Sequence, residues 1–339
     1  MLINSLNSQE AQNKVKVVMT QSLCPEGLAF FKDKAEIYVA DNNNVNNYLD
    51  EMQNADAIIV RIAKMDRHAI ENSPKLKVIG RTGVGCDSVD VEAATERGIP
   101  IVFTPGANNL AVAEHTIAMM FAIAKNLVEG DIGTKNGEYT RVRGLGKAFE
   151  LQNKKVAVIG LGAIGREVAR LCKSLGMKVM GYDPLLSKER IESLGAEYFA
   201  DYEDMIPEAD IFTIHAPLLD TTKNMFCKRH FDAMKKTAIV INNARGSIVN
   251  ESDLIEALNN EIIAGAGLDV FCEEPPAASN PLFKAKNLLV SPHSAAQTRE
   301  TVVKMATMCA KGCLEVLAGK KCAYVFNPKA YEHERWKGI

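Results

Sequence analysis

Lys154-Lys155-Val156-Ala157-Val158-Ile159-Gly160-Leu161-Gly162-Ala163-Ile164-Gly165-Arg166 is the stretch that decides the fold. Two lysines give way to a short apolar run, then to Gly-x-Gly-x-x-Gly, then to a helical pattern over Arg166–Leu175. A second short run, Lys178–Tyr182, ends at Asp183. Strand, tight turn, helix, strand and acid in that order predict a dinucleotide-binding unit. Gly160 allows the turn out of the strand. Gly162, without a Cβ, lets the backbone approach a pyrophosphate, and Gly165 lets the helix pack closely on the sheet. At the helix start, Ala163 and Ile164 bring N–H groups and the positive dipole end to the phosphates. Asp183 is placed to accept hydrogen bonds from ribose hydroxyls and would repel a 2′-phosphate, which favours NAD over NADP.

The rest of the composition narrows the class. A length of 339 residues suits about two domains. Hydrophobic and charged contents of 47% and 24% are ordinary for a globular protein. The net charge is −2, with no block of like charge, so neither nucleic acid nor a membrane surface is expected as a partner. Met1–Lys14 is polar and lacks the apolar core of a signal peptide. The apolar stretch Leu110–Ala124 is broken by Glu114 and His115 and is too short to span a bilayer. The eight cysteines form no Cys-x-x-Cys, and Cys309 and Cys313 share a helix face with no histidine beside them. Reduced thiols in a cytoplasmic protein, with neither a disulfide frame nor a metal site, are the expectation.

Two runs of alternating strands and helices are visible. The first has apolar runs at Val15–Thr20, Ala35–Ala40, Ala55–Arg61, Leu76–Gly80 and Ile99–Thr104, separated by segments such as Cys24–Lys32 and Val91–Arg97. This predicts a small parallel α/β domain of flavodoxin-like kind. The second has runs at Val156–Ile159, Lys178–Tyr182, Ile211–His215, Ala238–Asn242, Ile262–Leu268 and Leu288–Ser291, with a helix such as Glu251–Leu258 between them. Six such strands make a doubly wound Rossmann domain. Long helical patterns at Leu110–Leu127 and Gln297–Leu317 bracket it. The expected organisation is a Rossmann domain at 106–296 inserted into a substrate domain of 1–105 and 297–339. The polar tail Tyr331–Ile339 is expected to be disordered at its end.

Three polar residues fall at the ends of predicted strands, the edge where open α/β sheets bind ligands. They are Arg245 in Asn242-Asn243-Ala244-Arg245-Gly246, Glu274 in Asp269-Val270-Phe271-Cys272-Glu273-Glu274-Pro275, and His293 in Ser291-Pro292-His293-Ser294-Ala295-Ala296. A guanidinium fork binds a carboxylate and polarises the carbonyl next to it. An imidazolium gives a proton to that carbonyl oxygen as hydride reaches carbon. A carboxylate on the other ring nitrogen fixes the tautomer and favours the protonated ring. Each residue alone has a plainer reading, as a helix-end charge, a solvated acid or a loop histidine. Together they suit a 2-keto acid reductase.

On these residues the chain resembles the NAD-dependent D-2-hydroxyacid dehydrogenases, and among them the phosphoglycerate dehydrogenase branch. The resemblance covers about 61–301. It also rests on Gly80-Arg81-Thr82-Gly83-Val84-Gly85-Cys86-Asp87-Ser88-Val89-Asp90 and on Asn108 with Val112-Ala113-Glu114-His115-Thr116. It implies that Arg245, Glu274 and His293 are the catalytic trio. It further implies that Asp269 accepts from the nicotinamide carboxamide, that His215, Ala216 and Pro217 flank the adenine, and that Asn243 and Ala244 also line the cofactor. Val84 and Gly85 would offer N–H groups to the substrate carboxylate, with Asn108 near the cleft. Arg61 would meet a substrate phosphate, and so would Arg141 from across a dimer interface, while Arg143 is expected to be a surface charge. Ala111, Cys86, Cys272 and Leu219 depart from the family's usual residues. None of these removes a catalytic group, and inert packing is expected of both thiols.

The expected activity is interconversion of 3-phosphoglycerate and 3-phosphohydroxypyruvate in serine biosynthesis, by a homodimer joined through the cofactor domain. The chain ends soon after the second bracketing helix, so the regulatory domain of longer relatives and feedback by serine are not expected. Sulfolactate would satisfy the same arginines, and a hydroxypyruvate or glyoxylate reductase would need fewer of them. Formate dehydrogenase pairs its histidine with glutamine, which Glu274 opposes. An NADH-sensing scaffold like the C-terminal-binding corepressors is the reading from another class, and turnover would separate it.

Overall fold

The computed structural model describes residues 14–338; the N-terminal stretch read for a leader lies outside them, save for Lys14. The chain divides after Asn108 and after Gln297 into two compact units. The first takes in the N-terminal part together with the residues from Thr298 onward, and the second is Asn109–Gln297.

In the first unit, five strands form one sheet: β1 (Val15–Met19), β2 (Ala35–Val39), β3 (Ala57–Val60), β4 (Val78–Arg81) and β5 (Ile101–Val102). Their order is β2-β1-β3-β4-β5, all neighbours parallel, which is the flavodoxin-like order. Strand β3 is buried at every position, as a strand covered on both faces must be. The helix Arg299–Leu317 starts at Thr298, whose side chain accepts from the Thr301 N–H. Its buried face includes Met305, Ala306, Cys309, Cys313 and Val316. A Cβ on Gly80 of β4 would lie 2.6 Å from Cys313 Sγ and 2.8 Å from Cys309 Sγ. That glycine therefore lets two thiols seat on the sheet, and the shared cysteine face is packing. All eight cysteines are free.

The C-terminal tail departs from expectation. It forms short 3-10 turns at Pro328–Glu332 and Glu334–Trp336 instead of fraying. Trp336 is buried, stacks edge-on against Tyr331 and donates from Nε1 to the Gly98 carbonyl at 2.8 Å. Asn327 accepts from Ile101 N at 2.7 Å and donates to the Ile99 carbonyl at 3.0 Å. One indole and one amide supply the burial and hydrogen bonds that a mostly polar tail was not expected to find.

The second unit holds a seven-stranded parallel sheet: β6 (Lys155–Ile159), β7 (Lys178–Tyr182), β8 (Glu197–Tyr198), β9 (Ile211–Ile214), β10 (Ile239–Asn242), β11 (Gly265–Leu268) and β12 (Leu288–Val290). The order β12-β11-β10-β9-β6-β7-β8 is the Rossmann order with one strand added at the β12 edge. The sequence reading counted six strands because β8 has only two residues, too few for any periodicity to register. The helix Ala163–Ser174 buries Gly165, Val168, Ala169 and Cys172, the i, i+3, i+4, i+7 stripe that turns a helix onto a sheet. The long helix expected to reach Leu127 ends at Ala124. Asn126 takes φ 51°, and a second helix, Leu127–Lys135, leaves at 58° to the first. Asparagine tolerates this left-handed region better than most residues, so it can stop a helix that apolar periodicity alone would continue. Among the described residues no single helix is long and apolar enough to cross a membrane. The bent pair passes by length and composition, but its first helix buries Ala111, Val112, Met119 and Met120.

Candidate active site

The glycine loop lies between β6 and the Ala163–Ser174 helix, at the point where strand order reverses between β6 and β9. Gly160 has φ +90°, and a Cβ there would meet the His215 carbonyl at 2.9 Å. A Cβ on Gly165 would lie 1.9 Å from the Gly160 oxygen, so the helix can approach the loop only without one. Around Gly162 a Cβ would meet nothing within 4 Å, which leaves that face of the loop open to a phosphate-bearing ligand. Asp183 ends β7 with one carboxylate oxygen on the Leu161 N–H and the other on the Leu185 N–H, both at 2.9 Å. It is thereby tied to the loop and keeps lone pairs on both oxygens.

His215 follows β9 and donates its N–H to the Ile159 carbonyl at 2.7 Å. Its Nε2 meets the Thr213 hydroxyl at 2.8 Å. Burial lowers the pKa of this imidazole well below the histidine range, so the ring is neutral at pH 7. Ala216 and Pro217 lead into an exposed loop in which the Thr222 hydroxyl donates to the Pro217 carbonyl at 2.7 Å.

The second unit brings Arg245, Glu274 and His293 to one edge of its sheet. His293 Nδ1 and Glu274 Oε2 are 2.6 Å apart, a charge-assisted distance. The other oxygen, Oε1, accepts from Phe271 N at 3.0 Å, which fixes the carboxylate plane. Burial alone would raise the Glu274 pKa. The hydrogen bonds from His293 and Phe271, with the charges of His293 and Arg245, outweigh it and hold the carboxyl below its ordinary range. Arg245, half-buried, donates from Nη1 to the Ala244 carbonyl at 2.7 Å. Gly246 explains why the loop after β10 reaches the loop after β11: a Cβ there would lie 2.0 Å from the Phe271 carbonyl carbon. Backbone meets backbone at that point, and the Arg245 and Glu274 loops are locked side by side.

Asp269 is almost fully buried, and three donors of its own chain occupy it: Ser291 Oγ at 2.6 Å, Ser294 N at 2.8 Å and Ala295 N at 2.8 Å. Next to it, Asn243 donates from Nδ2 to the Thr116 hydroxyl at 2.9 Å. That hydroxyl gives its own proton to the Val112 carbonyl, so the amide orientation is fixed. Asn243 Oδ1 is then a buried acceptor with no hydrogen-bond partner among the described residues. An orphaned acceptor at the same sheet edge as an open glycine loop fits a ligand that carries amide or hydroxyl donors as well as phosphates, as NAD does.

The substrate-side residues fall mostly in the first unit. Arg61 directly follows β3, and Val84 and Gly85 lie in the loop after β4. Asn108 ends the first stretch of that unit. Arg81, in the Gly80–Asp90 stretch, is a further residue on this side, and its sequence context alone implies no role. It ends β4 and pairs in register with Val60, so Arg61, one residue beyond Val60, leaves β3 at the same edge of the sheet. A Cβ on Gly83 would meet the Arg81 guanidinium at 2.6 Å, so Gly83 makes room for it. The signal was present only as register, which a linear reading does not supply. Arg141 lies in the short helix Tyr139–Arg143 of the second unit. Glu138 accepts from its Nη2 at 2.6 Å and Glu129 from its Nη1 at 3.0 Å. Those carboxylates, Glu138 foremost, raise its pKa, and a phosphate would have to displace them. Cys86 is buried in the core of the first unit, as expected. Cys272, as a residue, is exposed rather than packed as expected, although partial desolvation of its thiol raises its pKa.

Residues 117–295 match the family described as D-isomer specific 2-hydroxyacid dehydrogenase, NAD binding domain. The chain belongs to that family. It is 40% identical over 314 residues to a D-3-phosphoglycerate dehydrogenase of Methanocaldococcus jannaschii, covering 92% of this chain and 59% of that protein. It is 36% identical over 314 residues to a glyoxylate reductase of Aeropyrum pernix, covering 90% of this chain and 93% of that protein. The chain spans between 50% and 59% of the length of four phosphoglycerate dehydrogenases it matches. Among solved structures, the TT0316 protein of Thermus thermophilus superposes with TM-score 0.81 at 29% identity, over 92% of this chain and all of that one. The second unit is thus the NAD-binding domain of a D-2-hydroxyacid dehydrogenase family member.

Proposed function

We propose that the chain is an NAD-dependent D-2-hydroxyacid dehydrogenase acting on 3-phosphoglycerate and 3-phosphohydroxypyruvate. The observation that carries the chemistry is the 2.6 Å pair of His293 Nδ1 and Glu274 Oε2 with Arg245 on the adjoining loop. Bound NADH supplies the hydride. The Arg245 guanidinium holds the substrate carboxylate and draws electron density from the neighbouring carbonyl. His293, held by Glu274 through Nδ1, gives the proton on Nε2 to the carbonyl oxygen as its carbon is reduced. In the oxidative direction the same nitrogen takes the proton from the hydroxyl. Glu274 keeps the ring oriented and balances its positive charge.

For the phosphate, support comes from two arginines at one sheet edge of the first unit, Arg61 directly after β3 and Arg81 at the end of β4, and from the likeness to the Methanocaldococcus jannaschii enzyme. A glyoxylate or hydroxypyruvate reductase is the second reading. It is favoured by the 36% identity to the Aeropyrum pernix protein and by the engagement of Arg141 with Glu138 and Glu129. The deciding experiment follows NADH oxidation with phosphohydroxypyruvate, sulfopyruvate, hydroxypyruvate, glyoxylate and pyruvate, for wild type and Arg61→Ala. The phosphate reading expects phosphohydroxypyruvate to lead in kcat/KM and Arg61→Ala to raise its KM by roughly tenfold or more, the scale of one charge-assisted contact. Preference for an unphosphorylated acid, with the variant unimpaired, overturns it.

Assembly as a homodimer through the second unit is part of the proposal. Leu127, Val128 and Ile132 are exposed on one short helix, with exposed Tyr139 close by in sequence. Their burial in a dimer is tested by light scattering of wild type and Ile132→Glu, the variant being expected to run as a monomer.

A further inference from the structure

We propose that His115 is a positioning residue that holds His293 in its working conformation through the Ser291 hydroxyl and the buried Asp269 carboxylate; this inference rests on the catalytic reading of His293.

His293 has φ +49°, in the left-handed region, which histidine visits more readily than most residues but still as a minority conformation. Its own N–H bonds the Ser291 carbonyl at 3.0 Å, a local turn that does not by itself fix where the loop sits. Asp269 fixes it. Its carboxylate takes Ser291 Oγ before His293 and the Ser294 and Ala295 N–H groups after it. The histidine therefore stands at the crest of a turn clamped on both sides by one buried anion.

Hydrogen-bond directions then define the role of His115. A carboxylate only accepts, so the Ser291 hydroxyl donates to Asp269. The Ser291 oxygen is left as an acceptor, and His115 Nε2 stands 2.9 Å from it. His115 must therefore carry its proton on Nε2 and donate. His115 lies 3.8 Å from Asp269 itself, too far for a direct hydrogen bond, so the serine is the link. The residue sits on the helix Asn109–Ala124, whose next residue, Thr116, takes the Asn243 amide at 2.9 Å. Two consecutive residues of one helix thus brace the loop bearing His293 and the loop bearing Arg245. Without the donor on His115, the Ser291 hydroxyl can rotate away, the clamp loosens, and His293 can relax to negative φ and swing from Glu274.

The test compares His115→Leu, which removes the donor at similar size, with His115→Gln, whose amide can donate from about the Nε2 position. Ser291→Ala removes the link directly and serves if His115→Leu fails to fold. For the best substrate of the wild type, His115→Leu and Ser291→Ala should lose kcat by about 10- to 100-fold, the cost of misplacing a reacting group by an ångström or less. KM and the NADH dissociation constant should stay within threefold, and His115→Gln should recover most of the loss. The double variant should be no worse than the poorer single one. A second readout needs no turnover. In 15N-histidine-labelled protein the Nδ1–H proton of His293, assigned by its absence in His293→Asn, should be present in wild type and His115→Gln and lost in His115→Leu. Equal loss in the glutamine and leucine variants, or an unchanged His293 proton in His115→Leu, overturns the inference. If wild type reduces no acid of the panel while the proton behaves as stated, the catalytic reading fails and the positioning by His115 stands.

Discussion

Replacing Glu274 with glutamine gives the sharpest test of the site, because the side chain has two distinct acceptor duties. One oxygen takes His293 Nδ1 at 2.6 Å and the other takes Phe271 N at 3.0 Å. Glutamine offers one oxygen and one NH2, so it can meet only one of the two donors. If its oxygen turns to His293, the Phe271 N–H faces another donor. If its oxygen turns to Phe271, the NH2 faces Nδ1, and the ring must hold a lone pair there and cannot be an imidazolium. A hydrogen bond to a charged group contributes about 1.5–3 kcal/mol. Side-chain exposure of 50% for His293 and 35% for Glu274 calls for the lower end, after solvent screening. A mispaired amide adds about 1 kcal/mol. The sum of ~2–3 kcal/mol corresponds to a loss of roughly 30- to 150-fold in kcat. The assay is steady-state NADH oxidation at 340 nm with a saturating 2-keto acid, beside a fluorescence titration of NADH. Turnover within threefold of wild type would refute the reasoning. So would a loss carried wholly by weaker NADH binding, since Glu274 is not assigned to the cofactor.

Other consequences follow from the same contacts. Gly246→Ala should force the Arg245 loop off the Phe271 loop, because its Cβ would lie 2.0 Å from a carbonyl carbon; kcat should fall by about 100-fold, and a crystal structure of the variant with the loop unmoved would count against this account. The Glu274 carboxyl is depressed, so its contribution is complete above the ordinary value of 4.5 and is lost only as pH falls through the lower folded value. A 13C titration should accordingly show its midpoint below 4.5 in wild type and higher in His293→Ala. Trp336→Ala removes a buried indole and its bond to Gly98. It should cost about 3–5 kcal/mol in urea unfolding, and a loss below 1 kcal/mol would mean that the tail contributes little to the first unit.

Several parts of the site were legible because their physics is local. The spacing of Gly160, Gly162 and Gly165 needs only a strand before it and a helix after it. In the structure Gly160 has a positive φ, Gly162 an open face, and Gly165 a close approach to the Gly160 carbonyl. Asp183 shows by position alone, at the end of β7. The break at Asn126 and the two-residue strand β8 were not legible, since apolar periodicity neither sees a single left-handed residue nor a run too short to repeat. The buried tail escaped for a related reason: one tryptophan among polar residues gives no pattern, although it finds Gly98 some 238 positions away.

Read alone, the sequence determined the fold class, the two strand sets, the cofactor loop and the chemical types at the strand ends. Those rest on periods of two or four residues and on conformations that one residue type permits. Only the tertiary structure decided which of those side chains meet. Strand order brought Arg61 and Arg81 to one sheet edge, a missing Cβ at Gly246 joined two loops, and Asp269 drew the His293 turn under the reach of His115. The hydrogen bonds among them join residues 22 to 176 positions apart in the chain. Their cause is the packing of a parallel sheet, where connections between strands carry no memory of sequence distance.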